Sequence, residues 1–529
     1  MTGEGTFFYD AASSILTKGM FRTFRGIVKV SNKQAYDTFG PGDRGGGFKF
    51  RPEGYSSSSA QVAENATLLL EGDSSGSVGS SFGVVNAGHT HGFGSWGRAI
   101  NAYPAKRWVL DGGYVYQTYI GSSDVSWRED GTTNTPPVCI PNGAGTLCVS
   151  NGFNYVKLSQ NSDEKIPTNS LVFAALEHTG DGVLLVRSDR IVNSYQNSGW
   201  RDRVVLGGFH DFAIGGTGSA IVRHGDESVR TNYLEATAPI VPWIVALVQS
   251  DYSLYFPGAS PEGELVMAGH PALIKLDEAT DPIANVNADT SKSLAISADL
   301  TVNSLRVPNP NSGGGINLGE GRKLTITSGG LIVGNGSHNR GGIGTESGYL
   351  NGTAGTVYFP NKAYVFTPSQ NSAAGKHSEI WAKIVSPYGV VFSYPGYLDL
   401  GGDQTGIDER ITLNGTYLKL GSATTGCSID VPVHLHGAYS TLAIQKQGSF
   451  CRQCLYFWDH ATPGSKFIPA EGTEEVVYKL YIDGVTMPRG TYGATGSGAE
   501  FIDDKHFSGT GTVRVLRDDL ANPLVIRMK

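Results

Sequence analysis

The stretch KLTITSGGLIV at residues 323–333 decides the fold class. Apolar residues alternate with polar ones through its first half, and a Gly-Gly pair separates that half from a second apolar run. Alternation with a period of two indicates a β-strand, and glycine tolerates the positive φ that a tight corner needs. The same unit recurs as WVLDGG at 108–113, YLDLGG at 397–402 and ITLNG at 411–415. Degenerate repetition at a spacing of roughly 20 residues indicates stacked β-coils.

This repetition predicts an all-β protein, and more specifically a right-handed single-stranded parallel β-helix with loop insertions and a C-terminal closing segment. An antiparallel sandwich produces similar short strands, but no long connection interrupts the series here. Alternate side chains should point inward, because one coil cannot bury its own apolar face and must stack on another. The residues predicted to be buried are Leu305, Val307, Leu324, Ile326, Leu331, Val333, Leu413, Leu418 and Leu420.

Three zones follow from the regularity of the pattern. Residues 1–285 form an irregular β-helix region with loop insertions, residues 286–470 hold the regular coils, and residues 471–529 form a closing β segment. The closing segment has a turn signal at Asp483 and Gly484, and it contains Pro488, which cannot join a central strand. We expect it to pair with or fold over the last coil, where it would cover exposed backbone hydrogen-bonding groups.

Composition disfavours several classes of function. The chain has 529 residues, a net charge of −7 and 72 glycines, and 17% of its residues are charged. A nucleic-acid-binding protein needs a basic face, which this charge balance disfavours. No apolar run reaches the length of a membrane-spanning helix, and the sequence predicts neither a cofactor nor a metal site. His434 and His436 form a His-x-His pair, but no third ligand of similar quality lies nearby in the sequence.

The five cysteines are too few for a disulfide-dense scaffold. Cys451 and Cys454 have the spacing of a redox or half-zinc motif, and we expect them to lie close together. Cys139 and Cys148 flank a loop and are expected to be able to pair if the protein is exported. The spacing alone leaves disulfides, inert thiols and metal binding open.

Several motifs resemble those of a known family. LYIDGV at 480–485, MPRGTYG at 487–493 and HFSGTG at 506–511 look like the C-terminal closing segment of bacterial surface proteins with autotransporter-associated β-strand repeats. TVNSL at 301–305, followed by LTITSGGL at 324–331, is similar to a coil pair of the same family. The resemblance implies an extracellular or cell-surface protein without catalytic activity, structural or adhesive in function, with glycan binding as one form of adhesion.

An enzyme is the alternative interpretation. β-Helix enzymes that act on polysaccharides, as hydrolases or lyases, place two or three acids on adjacent coils, and the irregular region 89–235 is where such a groove would lie. A histidine beside carboxylates can serve as a general base. The weak candidates for catalytic residues are Asp124, Asp211, Asp226, Glu227 and His210.

Aromatic residues suggest where a sugar would bind. Tyr114, Tyr116, Tyr119 and Trp127 crowd one segment, and aromatic rings can stack on the apolar faces of sugars. Packing in the core is the competing explanation for the same residues. The expected partner is a polysaccharide or a cell-surface glycan. A homo-oligomer, including a trimeric spike-like fibre that binds glycans, is a third hypothesis consistent with the same fold.

Overall fold

The computed structural model describes most of the chain after residue 106 and eight strands before it. The described ranges are 107–119, 146–160, 170–188, 203–224, 230–248, 253–261, 263, 265–266, 276, 279, 281–288, 294–308, 316–334, 342–368, 378–437, 440–450, 452–459 and 464–518. The earlier strands are β1 (Thr2–Gly3), β2 (Thr6–Tyr9), β3 (Ile15–Thr17), β4 (Thr23–Phe24), β5 (Ile27–Ser31), β6 (Phe48–Phe50), β7 (Thr67–Glu71) and β8 (Phe82–Val85).

The chain divides into two compact units. The first comprises residues 1–288 and 302–306, and the second comprises residues 289–301 and 307–529. Further strands of the first unit are β9 (Arg107–Asp111), β10 (Tyr114–Tyr119), β11 (Thr146–Val149), β12 (Phe153–Gln160), β13 (Ser170–Phe173), β14 (Ala175–His178), β15 (Val183–Ser188), β16 (Arg203–Leu206), β17 (Ala220–His224), β18 (Arg230–Leu234), β19 (Ile244–Val248), β20 (Ser253–Tyr255), β21 (Gly258–Ala259), β22 (Leu265–Val266) and β23 (Asn285–Asn287). A 3₁₀ helix occupies Phe209–Phe212.

The first unit contains two six-stranded sheets, and from β7 to β15 their strands alternate along the chain. One has the order β14-β11-β9-β7-β5-β2 and is parallel throughout, and the other has the order β20-β19-β15-β12-β10-β8. Only β20 runs antiparallel in the second sheet. Trp108, Leu147 and Leu176 occupy matching positions on neighbouring strands, and all three are buried. The apolar positions of successive strands therefore stack directly on one another.

The second unit contains the regular part of the sequence. Its strands begin with β24 (Leu294–Ala295), and β25 (Leu300–Val307) carries residues of both units. The others are β26 (Ile316–Asn317), β27 (Lys323–Val333), β28 (Gly342–Ile343), β29 (Thr356–Tyr358), β30 (Ala363–Phe366), β31 (Ser378–Ile380), β32 (Lys383–Ser386), β33 (Val390–Ser393), β34 (Tyr397–Leu400), β35 (Gly402–Asp403), β36 (Gly406–Ile407), β37 (Ile411–Asn414), β38 (Tyr417–Leu420), β39 (Cys427–Ser428), β40 (Val433–His436), β41 (Thr441–Ile444), β42 (Leu455–Trp458), β43 (Lys466–Ile468), β44 (Glu474–Val477), β45 (Leu480–Ile482), β46 (Val485–Thr486), β47 (Gly490–Gly493), β48 (Phe501–Ile502) and β49 (Thr512–Val515). One short helix, α1, spans Glu346–Leu350.

Most strands of the second unit lie in three parallel stacks, and from β29 to β34 and from β36 to β38 consecutive strands fall on these stacks in turn. The first stack is β27-β29-β32-β36, the second is β27-β30-β33-β37-β40-β42-β45, and the third is β24-β26-β28-β31-β34-β38-β41-β43. All their pairings are parallel and in register, as between β33 and β37 or β34 and β38. A strand such as β33 is therefore followed in the chain by a strand of the next stack and returns one rung later as β37.

The buried positions confirm the predicted register. Each of the nine residues predicted to be buried is at most 1% exposed. The corner glycine Gly329 has a φ of 86°, and a Cβ there would lie 2.1 Å from the carbonyl oxygen of Lys362. The alternating apolar residues are therefore buried, and the corner glycine adopts the positive φ that the sequence predicts. The protein is all-β with long parallel sheets.

The closing segment pairs with an earlier strand of the second stack, as expected. Strand β45 adds to β42 in parallel, and β46 then folds back antiparallel on β45. The turn between β45 and β46 consists of Asp483 and Gly484, with φ values of 48° and 77°. Two left-handed residues make the tight turn that an Asp-Gly sequence favours. Strands β44, β49, β47 and β48 form a second sheet in that order. An isolated parallel β-bridge joins Phe507 to Phe467 of β43.

Two of the cysteines for which a partner is expected, Cys148 and Cys454, lie within the described residues. Cys148 is buried in β11, with its Sγ 3.7 Å from Thr179 Oγ1, and Cys454 is half-buried. Both carry free thiols. Their expected neighbours, Cys139 and Cys451, lie outside the described residues. The proximity of Cys451 to Cys454 stays a prediction.

Candidate functional site

The catalytic candidates divide into two groups. Asp124, Asp226 and Glu227 lie outside the described residues. His210 and Asp211 lie together in the 3₁₀ helix of the first unit, where both are exposed. The Nε2 atom of His210 is 2.9 Å from the carbonyl oxygen of Ser260. Because a carbonyl can only accept, this ring nitrogen donates, and the contact holds the ring against backbone rather than against a carboxylate.

The aromatic candidates occupy one strand, except for Trp127, which lies outside the described residues. Tyr114, Tyr116 and Tyr119 are all in β10, where Tyr114 is the register partner of Tyr155 and Tyr116 that of Lys157. Their side chains lie outside the described part of the structure, so a sugar-binding platform built from them stays a prediction.

A different face of the second unit brings aromatic and charged side chains together. Strands β34 and β38 read YLDL and YLKL, and both have the same alternation of half-buried and buried residues. The four leucines are fully buried, which holds the alternate residues on the outer side. We call these residues, Tyr397, Asp399, Tyr417 and Lys419, the tyrosine–lysine face.

The geometry of the tyrosine–lysine face follows from its in-register pairing. Tyr397 pairs with Tyr417 and Asp399 with Lys419. The tyrosine ring centroids are 4.8 Å apart at 37°, and Lys419 Nζ lies 2.7 Å from Asp399 Oδ2. Burial, and to a smaller degree the neighbouring Tyr397 and Asp399, raise the pKa of Tyr417. The face therefore offers phenol hydroxyls and a neutralised ion pair at the spacing of β-strands, about 4.8 Å.

One more acid extends this row by a rung. Glu379 of β31 is the register partner of Asp399, and its Oε2 accepts a hydrogen bond of 3.2 Å from Trp381 Nε1. Glu379, Asp399 and Lys419 thus occupy three consecutive rungs of the third stack. The signal that sequence analysis missed is the repeat itself, because YLDL and YLKL differ only in carrying opposite charges at the third position.

The His-x-His pair belongs to an aromatic row on the second stack. His434, Tyr456 and Tyr481 occupy matching positions on β40, β42 and β45. Their ring centroids are 4.2 Å and 4.4 Å apart along the row, and His434 Nδ1 accepts a 3.2 Å hydrogen bond from Trp458 Nε1. The rings cover one another's faces, so the row stabilises the stack. Within the part of the chain that the structure describes, no group of three or more His, Cys, Asp or Glu residues is placed to hold a metal ion.

Comparison with known proteins adds no relative. No protein-family model, curated protein or solved structure matches the chain. Among the described residues, no helix combines the length and the apolar character needed to cross a membrane.

Proposed function

We propose that the parallel stacks are the walls of a right-handed single-stranded β-helix. We further propose that the chain is a non-catalytic extracellular or cell-surface protein, structural or adhesive, that binds glycans. Parallel strands joined by crossovers are almost always connected with right-handed geometry, which supports the handedness. The resemblance of the closing motifs to bacterial surface proteins supports the location.

The observation that carries the non-catalytic proposal is how the charged side chains are used. On the outer faces, acids are neutralised by cations of the same sheet: Lys419 bonds to Asp399 and Arg514 to Glu474 on neighbouring strands, and Arg107 bonds to Glu177 two strands away. A glycosidase needs two carboxylates that flank a bond and titrate differently. Paired acids of this kind serve instead to neutralise charge along a stack.

The tyrosine–lysine face favours a neutral polysaccharide over an acidic one. Its ion pair is already neutralised, so it presents hydrogen-bonding groups without a net charge. Sugar hydroxyls both donate and accept, which matches phenol, carboxylate and ammonium groups. The chain carries a net charge of −7, and this charge opposes the approach of a polyanion. A linear neutral glycan lying across the rungs is the proposed ligand.

The test is a panel of neutral and acidic polysaccharides, measured both for binding and for the release of reducing ends. We expect the wild-type protein to bind at least one neutral polymer and to release no reducing ends. The variants Lys419→Ala and Tyr397→Ala/Tyr417→Ala should weaken binding by about tenfold or more, roughly 1.4 kcal/mol. Tyr388→Ala is the matched control, because Tyr388 is 51% exposed and lies outside the tyrosine–lysine face.

Two outcomes would contradict this proposal in different ways. Release of reducing ends by the wild-type protein would favour the alternative, a carbohydrate-active enzyme, and His210→Ala and Asp211→Asn would then be the first variants to assay. An equal loss of binding in Tyr388→Ala would show that the tyrosine–lysine face is not the binding surface. Antibody labelling of intact source cells tests the proposed location.

A further inference from the structure

We infer that the charged imidazole of His506 joins the closing segment to the last coil and that removal of its proton loosens this segment. We call His506 with its partners Asp459 and Asp503 the His506 pin. The pin joins parts of the second unit that are distant in sequence. Asp459 directly follows β42 in the second stack, whereas Asp503 and His506 lie between β48 and β49. The side chain of His506 connects both acids.

The hydrogen-bond geometry requires a doubly protonated ring. His506 Nδ1 lies 2.6 Å from Asp503 Oδ2, and Nε2 lies 3.0 Å from Asp459 Oδ2. Ionised carboxylates only accept hydrogen bonds, and a neutral imidazole donates from only one nitrogen. Two such contacts therefore require an imidazolium. His506 is 2% exposed and Asp459 is 3% exposed, so the bond between them is shielded from water, whereas Asp503 is partly exposed.

The two carboxylates that face the imidazole favour its charged form, and burial opposes it. Burial lowers the pKa of His506, but the hydrogen bonds and charges of Asp459 and Asp503 outweigh it and raise the pKa from 6.5 to about 9. Lys505 Nζ also bonds to Asp459 Oδ2, and the backbone N–H of Asp459 bonds to Asp483 Oδ1. Lys466 contacts the backbone of the adjacent Asp504. The Phe457 ring completes the surroundings, 4.8 Å from the imidazole.

The sign of the pH dependence follows from the raised pKa. The folded protein holds this proton more tightly than the unfolded chain, so the pin contributes fully below pH 6.5. Its contribution declines as the pH rises and is lost above about 9. The pKa values of Asp459 and Asp503 are lowered against the opposing effect of burial, mainly by their hydrogen bonds to His506, so the same contacts weaken only in strong acid.

Hydrogen–deuterium exchange of the full chain between pH 6 and 10, corrected for intrinsic exchange rates, tests the inference. We expect protection of residues 480–515 to fall roughly a hundredfold over this range. Protection of residues 411–420 in the stack should change far less. In His506→Gln, the amides of residues 480–515 should be weakly protected at every pH, and their protection should not decline further above pH 7.5. Lys505→Ala is the matched control, because it removes a half-exposed neighbouring cation but leaves the pin and its decline in place.

A second measurement holds even if His506→Gln fails to fold. The imidazole resonances of His506 in wild-type protein, followed by NMR, should report an imidazolium up to about pH 8 or above. Titration near 6.5, or unchanged protection of residues 480–515 up to pH 10, would overturn the inference. A decline in the protection of residues 480–515 in His506→Gln equal to that of the wild type would also overturn it.

Discussion

The regular stacks and the closing segment of the second unit solve the same packing problem with different residues. In the stacks, similar rungs follow one another, so leucine pairs with leucine at the buried positions, while the outward residues differ and Asp399 meets Lys419. The closing segment buries ionisable side chains instead, with His506 and Glu475 at 2% and 1% exposure. The stack pairs these charges on its outer side, whereas the closing segment buries His506 and Glu475. Stability of the end should therefore respond to pH and that of the stacks should not.

The largest effect should come from removing the end altogether. Deleting residues 478–529 exposes the unpaired edge of β42, and we expect soluble oligomers or aggregates while most of the stack stays folded. Size-exclusion chromatography with light scattering, combined with circular dichroism, measures both properties. A truncation of residues 519–529 keeps β45 to β49 and serves as the control. A monomeric deletion variant with unchanged thermal stability would show that the segment is a separable module.

A charge inside the stack should cost almost as much. Ile326 is fully buried in β27, so Ile326→Asp places an unpaired carboxylate among apolar side chains. We expect the free energy of unfolding to fall by about 4 kcal/mol or more. Chemical denaturation measures it, and Thr325→Asp, one residue earlier on the other face of the strand, is the control. A similar loss in both variants would show that the strand rather than its inward face is sensitive.

A smaller and opposite effect is expected at Glu475 in the closing segment. Burial raises the pKa of this carboxyl from 4.5 to about 7, although its Oε1 accepts a 3.0 Å hydrogen bond from the backbone N–H of Gly448. The folded state therefore binds the proton more tightly, and stability falls as the pH rises from 4.5 through 7. Glu475→Gln keeps the acceptor without the charge and should stabilise the protein by about 2–3 kcal/mol at pH 8.

The pH profile of thermal unfolding separates this effect from that of His506. The gain in Glu475→Gln should disappear near pH 4, where the wild-type carboxyl is protonated in both states. Glu474→Gln, at the adjacent and more exposed position, is the control and should lack this profile. An equal gain at pH 4 and pH 8 would mean that ionisation of Glu475 is not the cause.

Sequence analysis succeeded where structure is determined by neighbours along the chain. The alternation around Ile326 and the Asp-Gly turn at 483–484 are local signals, and both gave the observed conformations. It missed the tyrosine–lysine face because a charged residue on a strand is ordinarily a solvated one, and only the register shows that Asp399 meets Lys419. The His506 pin was out of reach because Asp459 lies 47 residues away. Spacing alone cannot bring such residues together.

The antiparallel turn at Asp483 and Gly484 also bears on how such a chain can change in length. Every rung up to β45 runs in one direction, and β46 reverses it. A rung added to or lost from the middle of the stack would leave this reversal unchanged, because β46 pairs with β45, and β45 with β42. Duplication or loss of rungs is therefore a tolerated route of divergence, while the closing segment and the rung with which it pairs must be kept together.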